Sequence, residues 1–275
     1  MSDPIFQKGH QALAALFAGL GLLSGAWGVH VPSLQKAYGL SDGELAAALF
    51  AAGLGALASL FVSGRVVAHW GTRLTLRLTG LVMQVGLALA LVWPHPALLA
   101  AGLVVLGMVI SVHDVALNAE GTALESQLGR PIMGGLHALF SFGAMAGALC
   151  CAGLLRLNVS APWQLAAVGL ALLPLVLWTS RYLIDAHPAT AANDGQRHFV
   201  WPRGVLLLIG LLIFAGMVAE GVMYDWSVLY LQQALQWPQD RAALGYAVFV
   251  GAMALTRAVA DRARQQWGDE RLLQR

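Results

Sequence analysis

The sequence predicts an all-α membrane protein with eight membrane-spanning helices. Three observations carry this. Of the 275 residues, 58% are hydrophobic and only 11% charged, with a mean hydropathy of +0.68, whereas an ordinary soluble domain is about a quarter charged. A single water-soluble core of this length cannot bury so much apolar surface and still show solvent a polar exterior. The apolar residues also gather into uninterrupted runs of the length a bilayer requires, about 20 residues.

The runs fall in order. Residues 11–29, 45–64, 138–155, 157–180, 204–219 and 242–256 contain no Asp, Glu, Lys, Arg or His. Residues 78–112 are broken only by His95 and suffice for two crossings, with Trp93-Pro94-His95-Pro96 as the turn between them. The first run is too long for the core of a cleaved signal and reads as a retained helix. Basic residues favour the cytoplasmic side of short loops. With the N-terminus inside, only Lys36, Arg156 and Arg241 of the 16 Lys and Arg fall outside. Both termini are therefore expected in the cytoplasm. The net charge of +2 is scattered over loops, which argues against a nucleic-acid partner. Cys150 and Cys151 are adjacent and offer neither a disulfide framework nor a metal-ligand spacing.

Residues 185–203, with Pro188, Asn193, Asp194, Gly195 and Pro202, form the longest polar stretch and read as a cytoplasmic linker. The expected organisation is residues 1–184 as a six-helix unit, this linker, and residues 204–275 as two further helices and the start of a loop. An internal echo supports the division. Leu34-Gln35-Lys36-Ala37 recurs as Leu231-Gln232-Gln233-Ala234, and Trp70-Gly71 as Trp267-Gly268, both at an offset of 197. Two full units would need about 390 residues, so the sequence reads as stopping about a third of the way into its second half.

Six helices, a cytoplasmic linker and a second half is the plan of the major facilitator superfamily (MFS). Residues 64–73, Gly64-Arg65-Val66-Val67-Ala68-His69-Trp70-Gly71-Thr72-Arg73, resemble that family's loop between its second and third helices, G-x-x-x-D-R-x-G-R-R. Gly64, Gly71 and Arg73 match; Ala68 stands for the acid and His69 for the basic residue. Residues 257–273 resemble a second copy, with Asp261-Arg262 and Gly268. His113-Asp114-Val115-Ala116-Leu117-Asn118 and residues 135–143 look like the fourth and fifth helices of the fucose-permease branch. Glu220-Gly221 with Asp225-Trp226-Ser227 looks like the seventh helix of a bacterial subgroup called YbjJ-like. The resemblance implies a six-helix MFS half plus the first two helices of the second. It also implies a secondary transporter of a small, sugar-like solute, proton-coupled, working by alternating access. The first helix lacks the carboxylate of the fucose-permease pattern.

Candidate site residues follow from charge inside apolar runs. Gly107, Ser111, Asp114, Asn118 and Glu125 are spaced 4, 3, 4 and 7 apart, which puts them on one helical face. An intramembrane carboxylate such as Asp114 costs several kcal/mol on insertion, so it is expected to face the interior or a water-filled cavity and to bind solute or proton. A structural acid tied to His113 or His137 is the competing reading. His137 and Ser141 share a face of the fifth helix, while His113 points about 100° away from Asp114. Glu220 is the deeper acid of the seventh helix and the expected cavity residue. Asp225, about 140° around from it, is expected at the outer interface unless Gly221 breaks the helix. Trp27 and His30 are expected near the outer cavity mouth. Gly64, Arg65, Gly71 and Arg73 are expected to form a conformational latch, or simply a basic anchor. Gly21–Gly25, Ala47–Ala51–Gly55 and Gly143–Gly147 repeat at a spacing that lets helices approach closely.

No metal and no cofactor is expected, and no nucleophile–base set marks an enzyme. The lipid bilayer and a small solute are the expected partners. Fourteen Arg against two Lys suit a GC-rich bacterium and hence its cytoplasmic (inner) membrane. The competing function is a non-transporting remnant, or a membrane interaction protein whose bundle a partner completes.

Overall fold

The computed structural model describes residues 4–188 and 203–267. These form seven long helices: α1 (Pro4–Tyr38), α2 (Asp42–Leu89), α3 (Pro96–Leu128), α4 (Met133–Arg156), α5 (Ala161–Thr179), α6 (Val205–Leu235) and α7 (Gln239–Trp267). A single 3-10 turn, Ser180–Tyr182, follows α5. Among the described residues there is no strand. All seven helices are long and apolar enough to cross a membrane, as expected where no water is available to satisfy backbone N–H and C=O groups.

The count is seven, not the expected eight, because the second and third expected spans are joined in α2. A straight 48-residue helix would be about 72 Å long, more than twice the roughly 30 Å hydrocarbon core. It is not straight. Gly71 departs from helical geometry at φ 74°, ψ 163°. A Cβ on Gly55 would lie 2.1 Å from the Val104 carbonyl oxygen, and one on Gly86 2.3 Å from the Leu106 side chain. Both arms of α2 therefore lie against the same level of α3, and the chain doubles back at Gly71.

Helix ends follow local chemistry. Ser41 and Glu44 form a capping box at the start of α2, and Gly129 ends α3 in the left-handed region. Glu125 accepts from the Ile132 and Met133 N–H groups, capping the start of α4 (2.7 and 3.0 Å). The helices extend beyond their apolar runs: α3 reaches Leu128, about four turns past the end of its run at Val112.

Small residues decide the helix pairs. A Cβ on Gly21 or Gly25 would meet the carbonyl of Phe140 or Ala144, and one on Gly143 or Gly147 that of Ala18 or Leu22, all at 2.3 Å or less. The α1–α4 seam is thus reciprocal, backbone against backbone. Gly55 and Gly107 make the same arrangement between α2 and α3. The expected Gly21–Gly25 and Gly143–Gly147 repeats are two sides of one interface. Between these pairs and α6–α7 lies a core that includes Tyr246, Met83, Leu165 and Ala144.

The centre of the expected linker lies outside the described residues, as does Gly268. Its beginning is docked against the Gly71 turn. Arg257, expected to leave the last helix, instead sits within α7, which continues to Trp267.

A methyl group at Gly71 would lie 2.5 Å from Asp185 Oδ1 and 2.6 Å from His187 Nε2, at a φ that side chains avoid. Gly71→Ala is expected to lower stability by about 1–3 kcal/mol. Gly64→Ala, in a helical segment with nothing within 4 Å, is expected to be neutral or to stabilise by up to about 1 kcal/mol. Thermal unfolding of the two variants in detergent micelles separates them.

Candidate functional site

Two polar layers and one hydrogen-bonded turn, where the latch was expected, are built into the apolar bundle. The first layer is an ion pair crossing three helices. Arg257 on α7 donates through Nη2 to both carboxylate oxygens of Glu220 on α6, each at 2.9 Å. Through Nη1 it donates to Ser141 Oγ on α4 at 2.9 Å. The guanidinium fork matches a carboxylate in this way, whereas a lysine would offer only a point charge. Ser141 is fully buried and passes its own hydroxyl proton to the His137 carbonyl at 3.2 Å. His137 packs edge-on against Phe17, with ring centroids 5.3 Å apart, and its charged neighbour is Asp114 of α3. Asn118 donates to the Asp114 backbone carbonyl at 2.9 Å. Hydrogen bonds therefore link Glu220, Arg257, Ser141 and the His137 backbone carbonyl across α6, α7 and α4, with Asp114 of α3 the acid that the His137 side chain senses.

The second layer is a cavity of about 310 Å³ bounded by α1, both arms of α2, α3, α4 and α6. Its walls are mostly apolar, with Leu23, Leu103, Leu106, Ile110 and Phe140 among them. The polar groups are few: Ser24, Trp27, Tyr224 and Asp225. Asp225 faces the Trp27 indole. The Tyr224 hydroxyl is buried without a hydrogen-bond partner, although the Glu220–Arg257 pair is its charged neighbour. Tyr246 and Phe249 of α7 pack edge-on around its ring.

The hydrogen-bonded turn lies at Gly71. Glu120 of α3 is 1% exposed and accepts three hydrogen bonds, from the Thr72 hydroxyl, the Ile184 N–H and the Ala186 N–H. Asp185, at φ 64°, accepts from the Arg73 N–H at 3.0 Å. Arg73 in turn donates to the Leu183 carbonyl at 2.6 Å, and the Thr72 N–H donates to the Ala186 carbonyl at 3.0 Å. The His187 ring and the Ala68 carbonyl meet at 3.1 Å. Residues 183–187 thus lie against the turn like a strap. Further links tie the opposite end of the bundle: Arg156–Asp240 at 2.9 Å, and Gln239 donating to the Val29 carbonyl and Ser33 Oγ at 2.7 and 2.9 Å.

A family model described as Major Facilitator Superfamily matches residues 12–274. The chain belongs to the major facilitator superfamily. It is 34% identical over 258 residues to an uncharacterised MFS-type transporter of Yersinia pestis, an alignment covering 94% of this chain and 66% of that one. An uncharacterised transporter of Sinorhizobium fredii is 32% identical, with 94% and 68% covered. The membrane protein MosC of Rhizobium meliloti is 28% identical, with 95% and 63% covered. The chain spans about two thirds of the length of these relatives.

Within this MFS chain the structure brings together Ser141 and Glu220, through Arg257, with His137 one turn before Ser141; Asp114 is exposed on α3, where Asn118 bonds only its backbone carbonyl among the described hydrogen bonds. Trp27 lies in the cavity. His30 does not: it is buried between Ser33 and Gln164, at 3.0 and 3.1 Å. His113 points away from Asp114 and meets Thr79 Oγ1 at 2.7 Å, in a packing role. Asp225, expected at the outer interface, lines the cavity instead. Since α6 is continuous through Gly221, the angular offset sends Glu220 to Arg257 and Asp225 into the cavity. In the hydrogen-bonded turn, Gly71 and Arg73 take part. Gly64 and Arg65 lie nearly two turns earlier, on an exposed face, and no described hydrogen bond or ion pair involves Arg65. The acid missing at Ala68 is supplied from a distance by Glu120 and Asp185. Among the described residues no three His, Cys, Asp or Glu side chains converge as a metal site.

Glu220 and Arg257 are 32% and 26% exposed, so their pairing is only partly screened. Glu220→Gln and Arg257→Ala are each expected to destabilise the chain by about 1–3 kcal/mol. The double variant is expected to lose less than the sum, because both remove one interaction. A double-mutant cycle read by thermal unfolding checks this; strict additivity would show that the pair contributes no coupling.

Proposed function

We propose that this chain carries the core of a secondary active transporter that moves a small polar solute across the membrane by alternating access, coupled to protons. Its organisation in this reading is a six-helix half through residue 184, a cytoplasmic linker over 185–203, and the first helices of a second half. The α2 turn at Gly71 then counts as two crossings, eight in all, with both termini cytoplasmic in a bacterial inner membrane. The resemblance of α3 and α4 to the fucose-permease branch, and of α6 to the YbjJ-like subgroup, belongs to the same proposal. The chain is read as a transporter, not an enzyme.

The observation that carries the reading is the Arg257–Glu220–Ser141 constellation beside the cavity. It joins helices on either side of the linker through the Arg257–Ser141 hydrogen bond, while the Arg257–Glu220 pair lies within the second unit and holds the guanidinium in place. Charges inside a bilayer are retained where they line a pathway or bind one another, and a contact between two units, here Arg257 with Ser141, can be made in one arrangement and broken in another. Protonation of Glu220 or Asp114 would weaken the attraction to Arg257 or His137, which gives a proton a way to bias the two arrangements. In this reading Asp114, Asn118 and His137 form the proton-bearing layer, Ser141 and Glu220 the switch, and Trp27 a wall of the binding cavity.

The test needs no knowledge of the solute. A single cysteine at Ser24, in a background where Cys150 and Cys151 are replaced, is probed with a membrane-impermeant thiol reagent from each side of oriented vesicles. Alternating access predicts labelling from both sides. Labelling from one side alone under all conditions favours the static interaction protein. Cysteines at His69 and His95 are expected to label from opposite faces, which fixes the crossing count.

A further inference from the structure

The cavity's one carboxylate has no cation of its own. Glu220 is neutralised by Arg257, Asp185 lies beside Arg73 and Asp240 beside Arg156. Asp225 has no such partner among the described residues; its side-chain partner is the neutral indole of Trp27, which donates its N–H to the carboxylate. A carboxylate in an apolar chamber is costly unless a positive charge or a proton accompanies it. Trp27, the best type of aromatic partner for a cation, lines the same cavity. The remaining walls, Leu23, Leu103, Leu106 and Ile110, offer no hydrogen bonds from their side chains. A neutral polyol would therefore lose its hydration without replacement there.

Resting on the transport reading above, the geometry points to an organic ammonium ion as the solute of this cavity. Its charged head lies against the Asp225 carboxylate on the cavity side, within the chamber that Trp27 also lines, and its apolar body lies against the leucine wall. A volume of about 310 Å³ corresponds to roughly ten waters' share of liquid, hence a body of about ten non-hydrogen atoms. The buried Tyr224 hydroxyl at the same cavity, beside the Glu220–Arg257 pair, supplies one further polar contact for a substituent on that body. A sugar-like solute fits this lining poorly, because one carboxylate and two hydroxyls cannot satisfy a ring of hydroxyl groups. Arg257 does not compete for Asp225, since Glu220 and Ser141 already hold its guanidinium.

The full chain purified in detergent, or in nanodiscs, is titrated calorimetrically with phenethylammonium, with its neutral near-isostere 2-phenylethanol, and with fucose. The expected result is saturable binding of phenethylammonium alone. Asp225→Asn is expected to weaken it by about tenfold or more, and Trp27→Leu by about three- to thirtyfold. Comparable binding of 2-phenylethanol to the unaltered chain overturns the proposal without recourse to any variant. So does full phenethylammonium affinity in a folded Asp225→Asn protein, which would mean that a proton accompanies the acid. Binding of fucose with none of the ammonium overturns it too, while leaving the transport reading intact. That reading is judged separately by two-sided labelling at position 24.

Discussion

Close backbone approach at the α1–α4 and α2–α3 seams is the constraint on which the rest of the structure depends. In lipid there is no hydrophobic gain in joining two apolar helices, so association rests on packing and on buried polar contacts. Glycines at 21, 25, 143 and 147 bring α1 and α4 together along two turns, and that contact sets the rotation of α4. With this rotation Ser141 faces α7 and the His137 ring meets Phe17 on α1. Glycines 55 and 107 fix α2 on α3 likewise, which places Asp114 opposite α4 and Leu103 and Leu106 in the cavity wall. The polar layers inherit their geometry from contacts that contain no polar side chain.

Much of this fold was legible in the sequence. Apolar runs marked every helix, the Trp93–Pro96 turn separated the third and fourth expected spans, and four-residue glycine spacing marked the seams. The break between the second and third expected spans was placed in a loop over residues 64–73; what periodicity could not reveal was that helix continues up to Gly71 on one side and resumes at once on the other. The residues around Gly71 continue a helical pattern on both sides, and the reversal is made by one glycine's backbone angles. The apolar runs are shorter than the helices, because a polar residue such as Glu120 or Glu125 can continue a helix while ending an apolar run; the 4, 3, 4 and 7 spacing from Gly107 to Glu125 already carried the fourth expected helix past its run.

Site residues divide in the same way. Asp114, His137 and Ser141 were singled out because charge or polarity stands out against an apolar background. Arg257 was read as a loop residue because a positive charge near a helix end ordinarily marks the cytoplasmic side. Only the location of Glu220 and Ser141 on other helices shows that it is held within the bundle. Glu120 was missed for a related reason. Its partners are two backbone N–H groups more than 60 residues away, and a backbone donor has no residue type to betray it. Asp225 was visible but assigned to the wrong environment, since its neighbours Trp226 and Tyr230 have interface composition whichever way the acid turns.

The strap at residues 183–187 has an evolutionary corollary. Glu120 reads peptide N–H groups at 184 and 186, not side chains, so those two contacts tolerate almost any residue in the strap. Proline is the exception, because it removes the donor itself. Drift in this stretch can therefore run far ahead of drift in Glu120 and Thr72, whose side chains make the bond. Aligned relatives would then show a variable strap anchored on a fixed acid, a pattern easily mistaken for an unconstrained linker.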